Sequence, residues 1–370
     1  MDEYPSSYED SRTRFIQSLE LFRQKWPQAH LESHILSEHP GLSIDWIWAD
    51  ASRQENLLFI STGEHGIEGF VGSAMLKLFI EEFLPHLDPE NTGLLLVHTI
   101  NPWGMKNLRK VNENGVDLNR NFVSGEFNPV INPDFLKLKY LINPEQSARS
   151  FMLENLLFGW RLVRALLTAG AASISNAALF GQSDSPNGIY YSGRQPEEET
   201  LVLMNLCRAA LEKYRTIIHL DMHSGYGPRH PMNLTLSQYE PLSSREISAK
   251  FNYPLALKVA PGEFYAMSGD MTDYYYKIRN AEFPGRTFFA CAFEFGTFGD
   301  ALLEQIRSLR AMVFENQLHW HGAVNARAAG AIRREFRELY FPSETTWREK
   351  ALQDGRLAFN GILHAYGLYK

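Results

Sequence analysis

The spacing of apolar residues changes along the chain from a helical to a strand-like period. Over residues 8 to 25, apolar side chains such as Phe15 and Phe22 recur among charged residues at helical spacing. Pro27 ends this pattern, so we predict a helix before it. Over residues 42 to 50 apolar and polar residues alternate, which predicts a half-buried strand.

Short apolar runs of buried-strand length follow, and helical patterns lie between or beside them. The runs cover residues 57–63, 93–101, 216–224 and 287–297, and the helical patterns cover residues 70–83, 197–214 and 300–320. This order predicts an α/β fold, a single doubly wound domain around a mostly parallel or mixed central sheet. Ligands of such sheets bind beyond the carboxyl ends of the strands, so polar residues directly after the runs are the candidates for chemistry.

Two segments lie outside this pattern. Residues 128 to 195 are mainly helical and end in a stretch rich in Gly, Pro and Ser. We interpret this segment as an insertion near the site within one catalytic domain that spans residues 1–370. The tail from about residue 323 is predicted to be helical, and it carries no functional motif.

Composition narrows the classes of partner. The net charge is −7, without long basic runs, so neither a nucleic acid nor an anionic membrane is expected as a partner. The chain has two cysteines, Cys207 and Cys291, which are too few for a disulfide framework and exclude a cysteine-based zinc site. The sequence gives no indication of an oligomeric state.

Neither the N-terminal residues nor the most apolar stretch of the chain indicates export or membrane insertion. Acidic residues stand at the N-terminus where a secretory signal would carry positive charge, so we expect a cytoplasmic location. The most apolar helical stretch begins at Phe151 and is interrupted by Glu154, Arg161 and Arg164. We therefore predict a packed amphipathic helix there and no membrane span.

His65 and Glu68 follow the run over 57–63 directly. They are three residues apart at a loop-to-helix transition, so both side chains can face one point. A chain of this length contains about one such pair by chance, and the position after a strand is the informative feature. Alternatively, Glu68 caps the next helix and His65 is a surface residue.

The segment after the run over 93–101 brings Arg109, Asn119 and Arg120 towards the same sheet edge. Guanidinium groups bind carboxylates through two parallel hydrogen bonds, so this segment suits a carboxylate clamp. Solvated surface charges are the alternative, and the segment alone leaves both open.

The last two strand-like runs also carry polar residues. His219, Asp221 and His223 share one face of a strand by alternation. His223, at the strand end, is the better ligand, and His219 is expected in the core or in support of a ligand. Glu294 lies within an apolar strand, where an unpaired carboxylate is costly to bury, so it requires either a salt bridge or a nearby metal.

Together these motifs resemble the zinc carboxypeptidase family, the carboxypeptidase A-like or funnelin peptidases. In family order they are H-x-x-E at His65 and Glu68, N-P-x-G at Asn101, Pro102 and Gly104, Arg109, D-x-N-R-N-F from Asp117, His223 followed by Ser224, and F-E-F around Glu294. The resemblance covers roughly residues 40 to 320. It extends more distantly to the succinylglutamate desuccinylase and aspartoacylase group.

This resemblance implies one Zn²⁺ per chain, bound by His65, Glu68 and His223 in the two-His, one-Glu arrangement known from carboxypeptidase A. Asp117 would hydrogen-bond His65 and fix its ring. Glu294 would be the catalytic carboxylate that takes the proton of a zinc-activated water.

The same resemblance assigns the substrate side of the site. Arg109 would polarise the scissile carbonyl and stabilise the oxyanion, while Asn119 and Arg120 would bind a terminal carboxylate of the substrate. A mobile tyrosine of the family corresponds to Tyr265, which precedes an S-G-x-x-x-D segment at Ser268, Gly269 and Asp273.

The implied function is a metallocarboxypeptidase that acts on a peptide with a free C-terminal carboxylate. A deacylase of N-acyl amino acids is the alternative, and a catalytically inactive binding protein on the same scaffold is a third. The D-L-N-R-N-F motif favours the peptidase. The long insertion, the lack of a secretory signal and Gly225, where many relatives have tyrosine, leave the substrate open.

Overall fold

The structure is a computed structural model that describes residues 3–258 and 269–369. Within these ranges the strands are β1 (His30–Ile35), β2 (Ser43–Ala49), β3 (Asn56–Thr62), β4 (Thr92–His98), β5 (Thr216–Gly225), β6 (Met232–Leu236), β7 (Ala256–Lys258) and β8 (Thr287–Gly296). The helices are α1 (Tyr8–Arg23), α2 (Gly69–Glu82), α3 (Pro102–Asn107), α4 (Pro133–Ile142), α5 (Phe151–Thr168), α6 (Gly170–Leu179), α7 (Glu198–Lys213), α8 (Ser244–Phe251), α9 (Met271–Glu282), α10 (Leu302–His321), α11 (Ala326–Tyr340) and α12 (Thr345–Ala365).

These strands form one mixed sheet in the order β1-β2-β4-β3-β5-β8-β6-β7. The central strands β4, β3, β5 and β8 are parallel to one another, whereas β2 is antiparallel to β4 and β6 is antiparallel to β8. The predicted α/β fold with a mixed central sheet is confirmed. Because the central strands are parallel, their carboxyl ends meet at one edge of the sheet.

Helices cover both faces of the sheet. On one face α2 lies against β3 and β5, since a Cβ on Gly72 would meet the side chains of Thr62 and Met222. On the other face Tyr275 of α9 contacts the rings of Phe59 and His219. Phe59 precedes Thr62 by three positions on β3, and His219 precedes Met222 by three positions on β5. Strand side chains alternate between the two faces, so residues three positions apart point to opposite faces, and α2 and α9 therefore pack on opposite sides of the sheet.

The central strands match their sequence prediction closely, but β1, β6 and β7 are not predicted. Every residue of β4 is buried, so the strand appears in the sequence as a continuous apolar run. By contrast β1 is polar and largely exposed at the sheet edge, and β7 has three residues. Neither gives a hydrophobic period that sequence patterns can detect.

The segment over 128–195 contains α4, α5 and α6, and the tail from 323 contains α11 and α12. Apolar side chains of α4 to α6 pack with those of α10 and α11 in a second hydrophobic cluster beside the main core. Phe359 of α12 packs on Phe293 of β8 at a ring distance of 5.1 Å, so the tail belongs to the main core. The division into one catalytic domain with an insertion stays a prediction.

Candidate metal centre and active site

Three strands deliver polar side chains to the same sheet edge. His65 comes directly after β3 and precedes a 3-10 turn over Gly66–Glu68. His223 lies near the carboxyl end of β5, and its Cα partner on β8 is Glu294. The parallel register therefore places both histidines and both glutamates at one edge.

The loop that carries His65 is held by a close backbone contact. A Cβ on Gly66 would lie 2.2 Å from the carbonyl carbon of Gly104, so only glycine fits at this position. Gly104 belongs to the N-P-x-G segment, where the Asn101 side chain accepts a hydrogen bond of 2.7 Å from the Gly104 N–H and caps α3. The contact between Gly66 and Gly104 fixes the His65 loop against α3.

The donor atoms of His65, Glu68 and His223 converge in a buried cluster. Nδ1 of His65 lies 2.8 Å from Oε1 of Glu68, and Nδ1 of His223 lies 3.1 Å from Oε2. All three donor atoms lie within 4.8 Å of one another. These separations are close to those of donors that share one zinc ion at about 2.0–2.2 Å in a tetrahedral arrangement.

The second ring nitrogen of each histidine contacts an aspartate. Nε2 of His65 lies 3.0 Å from Oδ1 of Asp117, and Nε2 of His223 contacts Oδ2 of Asp221. In the neutral tautomer with the proton on Nε2, the carboxylate accepts the Nε2–H and the Nδ1 lone pair is directed towards Glu68. This tautomer is the one that a metal ligand needs.

The charges of the cluster support an ionised Glu68. Burial would raise the pKa of Glu68, but His65 and His223 lower it to about 2. Burial would likewise lower the pKa of His223, yet Asp221 and Glu68 raise it well above its usual range. The histidines and the carboxylates thus compensate one another in the buried site.

Behind His223, a hydroxyl connects the site to the core. The Ser61 hydroxyl donates a hydrogen bond of 2.6 Å to Asp221, and Nε2 of His219 lies 2.8 Å from the hydroxyl oxygen of Ser61. Burial lowers the pKa of His219 to about 4, so this ring stays neutral. His219 therefore lies in the core, behind the residues that hold His223.

Glu64 is a site residue that the sequence patterns do not indicate. It is buried, its carboxyl oxygens have no hydrogen-bond partner, and Oε2 lies 3.5 Å from Nε2 of His223. Burial and the charge of Asp221 raise its pKa well above the usual range. Glu64, Asp221 and His223 form a second group of possible donors. Because Asp221 already engages Nε2 of His223, the group in which both Nδ1 atoms converge on Glu68 fits a metal better.

Glu294 lies beside this cluster with a shifted acidity. Its Oε1 accepts a hydrogen bond of 3.0 Å from the Tyr226 N–H. Burial, followed by the negative charge of Glu68, raises the pKa of Glu294 to about 7. A carboxyl group of this pKa can take up and release a proton near neutral pH.

Arg109 and its neighbour Lys110 point to different parts of the molecule. Nε of Arg109 lies 2.9 Å from Oε1 of Glu315 on α10, so the guanidinium is ion-paired away from His65. Instead Nζ of Lys110 lies 2.8 Å from Nε2 of His65 and forms an ion pair with Asp117. The sequence patterns single out Arg109 and miss Lys110 and Glu315.

Arg120 is held by neutral acceptors. Its Nη1 donates a hydrogen bond of 2.8 Å to the carbonyl of Asn119, and its Nη2 donates one of 3.0 Å to the carbonyl of Leu179 at the end of α6. The guanidinium carbon lies 5.1 Å from the centre of the Tyr190 ring. In the described part of the chain Arg120 makes no ion pair with a carboxylate.

Asn119 ties the same turn to α9, since its side-chain oxygen accepts a hydrogen bond of 3.0 Å from the Met271 N–H. Tyr265 and Ser268 lie outside the described residues. Of the S-G-x-x-x-D segment, Asp273 is buried near the start of α9, where the Ser237 hydroxyl donates to it. The assignment of Tyr265 stays a prediction.

Comparison with known proteins gives one match in sequence and several in fold. The model of a family described as "Protein of unknown function (DUF2817)" matches residues 4–354. No curated protein matches the sequence.

One similar solved structure is bovine thrombin-activatable fibrinolysis inhibitor, with 16% identity and a TM-score of 0.46 over 85% of this chain and 96% of that chain. Carboxypeptidase A from Helicoverpa armigera has 15% identity and a TM-score of 0.45 over 87% of this chain and 75% of that chain. An aspartoacylase family protein from Mesorhizobium loti has 16% identity and a TM-score of 0.37 over 81% of this chain and 69% of that chain. The last two names belong to the groups that the sequence motifs resemble. At these values the likeness carries no argument about chemistry, which rests on the residues of the site.

Proposed function

We propose that this chain, which belongs to the DUF2817 family, is a zinc-dependent hydrolase that cleaves an amide bond. One observation carries the proposal, the convergence of Nδ1 of His65, the Glu68 carboxylate and Nδ1 of His223 in a buried cluster. Two imidazoles and one carboxylate suit Zn²⁺ and leave a position for water. We expect one zinc ion per chain.

Zinc bound by these residues would lower the pKa of a coordinated water to about 7 and would polarise the scissile carbonyl. Glu294 takes the proton of the attacking water and delivers it to the leaving amine. The Tyr226 N–H holds one oxygen of this carboxylate, which orients the other oxygen for proton transfer. With the metal bound, Asp117 and Asp221 would accept the Nε2–H of the two histidines and so hold both rings in the tautomer that a metal ligand needs.

The substrate we propose is a peptide with a free C-terminal carboxylate. Arg120 supports this choice because its hydrogen bonds to carbonyl groups of Asn119 and Leu179 orient the guanidinium without neutralising it. A carboxylate of the substrate would add a directly bonded counter-charge through a charge-assisted hydrogen bond. Asn119, fixed by Met271, lies in the same turn.

Arg109 is proposed to stabilise the oxyanion, which requires a change of partner. Its guanidinium is ion-paired with Glu315, so the substrate carbonyl would have to replace that carboxylate. The buried Nη1 of Arg109 has no hydrogen-bond partner, which leaves a donor for an incoming group. A cytoplasmic location is likewise proposed from the sequence alone.

Substrate profiling tests the proposal. We expect the purified enzyme to contain one zinc ion per chain by elemental analysis and to cleave N-blocked dipeptides with a free carboxylate much faster than their C-terminal amides. Equal cleavage of acid and amide would contradict the carboxypeptidase assignment. Preferential cleavage of N-acyl amino acids would favour the deacylase, and a protein without metal or activity would favour a binding protein.

A further inference from the structure

Helix α5 presents an apolar face to solvent. We call this surface the α5 face. Its side chains are exposed by 46% to 83%, and they are Met152, Leu156, Trp160, Val163, Leu166 and Leu167. At 100° per residue these positions lie on one side of the helix. Arg164 stands at the edge of this α5 face, where its guanidinium covers the rings of Tyr140 and Trp160.

The opposite side of the helix is already buried. Phe158 packs on Phe314 of α10 at a ring distance of 5.9 Å, and Ala165 belongs to the same hydrophobic cluster. Glu154 and Arg161 are also buried on this side, so apolar residues lie on both sides of the helix but the exposed side is the uniformly apolar one. An apolar patch of this extent on a protein surface marks an interaction site, so the α5 face calls for a partner.

The size of the α5 face fits a protein interface. Six large side chains at these exposures present on the order of 600 Å² of apolar surface, at the upper end of what monomers expose. A standard interface buries about 800 Å² on each partner. The rim around the face supplies the remainder.

Gly159 lies in the middle of the face. A Cβ at this position would meet no atom within 4 Å, so nothing in the chain itself requires glycine there. Glycine inside a helix costs about 1 kcal/mol relative to alanine. A small residue at the centre of an apolar face allows a second helix to approach closely.

We propose that two copies of this chain associate through their α5 faces, with the helices antiparallel about a twofold axis near Gly159. The face is nearly symmetric about this residue, with Leu156 and Val163 on either side and Met152 and Leu167 at the ends. A second copy in the opposite direction presents the same pattern, as a self-complementary interface requires. This inference does not depend on the proposed activity.

A second copy fits better than a lipid surface. Helices that lie on membranes carry many basic residues beside their apolar side, whereas the far side of α5 is buried in protein. The chain also has a net charge of −7, which disfavours anionic lipid. Within the described residues no single helix has the length and apolar composition to cross a membrane, and α5 and α6 meet that test only jointly, with a bend of 119° between them.

Sedimentation velocity of the full chain between about 1 and 100 µM tests the interface, since interfaces of standard size hold complexes with micromolar or tighter dissociation constants. Leu156→Glu should raise the dissociation constant at least tenfold. Leu357→Glu is the matched control, because Leu357 is a 52% exposed leucine on α12, and it should leave the dimer unchanged.

Gly159→Leu separates the interface from a folding defect. With open space around it, a leucine should raise the unfolding temperature under conditions where both proteins are monomeric, because glycine is the poorer helix former. The same side chain should weaken the dimer by keeping the helices apart. A wild-type monomer at 100 µM, a dimer unaffected by Leu156→Glu, or flotation of the protein with phosphatidylcholine vesicles would each overturn the proposal.

Discussion

The proposed metal ligands lie on strands β3 and β5 or directly after them, whereas the three residues proposed to meet the substrate lie on the long segment between α3 and α4. On the metal side each histidine contacts a carboxylate through both ring nitrogens. On the substrate side the guanidinium of Arg120 is held by backbone carbonyls, and that of Arg109 is held by Glu315.

This contrast separates two ways of building a site. Hydrogen-bonded register between parallel strands fixes the metal side, so neighbouring positions such as His223 and Glu294 are set by the sheet itself. The substrate side depends on contacts with α6 and α10, which are far away in sequence. We therefore expect changes on the metal side to abolish function and changes on the substrate side to modulate it.

Removal of a metal ligand should have the largest effect. His223→Ala should lose bound zinc and all hydrolytic activity, because two remaining protein ligands hold the ion too weakly. Elemental analysis after dialysis measures this, with circular dichroism as the check on folding. His219→Ala, four residues earlier on the same strand, is the control that should keep its zinc. Full zinc occupancy in His223→Ala would refute the ligand assignment.

Glu294→Gln should keep zinc and fold but lose at least about 10³-fold in kcat, since the amide preserves the shape and removes the proton carrier. Steady-state assays and zinc analysis of the same sample test both parts. Glu349→Gln, an exposed glutamate on α12, provides the control. Wild-type turnover by Glu294→Gln would remove this residue from the mechanism.

Arg109→Ala should lower kcat by about 10²-fold if the guanidinium stabilises the oxyanion. The ion pair with Glu315 makes a sharper comparison possible. Glu315→Gln frees the arginine from its partner and should change kcat only a few-fold. Equal losses in the two variants would indicate that the ion pair supports the fold and that Arg109 does not reach the substrate.

Arg120→Ala should raise KM by about tenfold, with a smaller change in kcat, because a contact made equally in ground and transition states affects binding alone. Wild type should discriminate between a free and an amidated C-terminus, and the variant should not. Arg215→Ala, at an exposed position, is the control. Strong discrimination that persists in Arg120→Ala would place carboxylate recognition elsewhere.

The same division explains what the sequence could predict. The central strands are continuous apolar runs, and His65, Glu68, His223 and Glu294 occupy or directly follow them, so pattern and position locate these residues together. The partner of Arg109 could not be found this way, because Glu315 is 206 residues away in the chain. The acceptor for Arg120 at Leu179 is a backbone carbonyl, which has no signature in a sequence.

Glu64 and Lys110 were missed for a different reason. Both are charged residues next to recognised motif positions, where charges are usually solvated. Only the packing of β3, β5 and the segment after α3 shows that both side chains are directed into the site. The edge strand β1 was missed because its polar sequence has no apolar period.

The contact between Gly66 and Gly104 sets a rule for engineering this protein. Since a side chain at Gly66 would overlap the backbone of Gly104, the His65 loop tolerates no larger residue at this position. A library aimed at new substrates should therefore leave this loop intact and vary residues around Leu179 and Tyr190. Such a library can change the substrate specificity through positions away from the metal site, and every variant in it keeps the same metal-binding geometry.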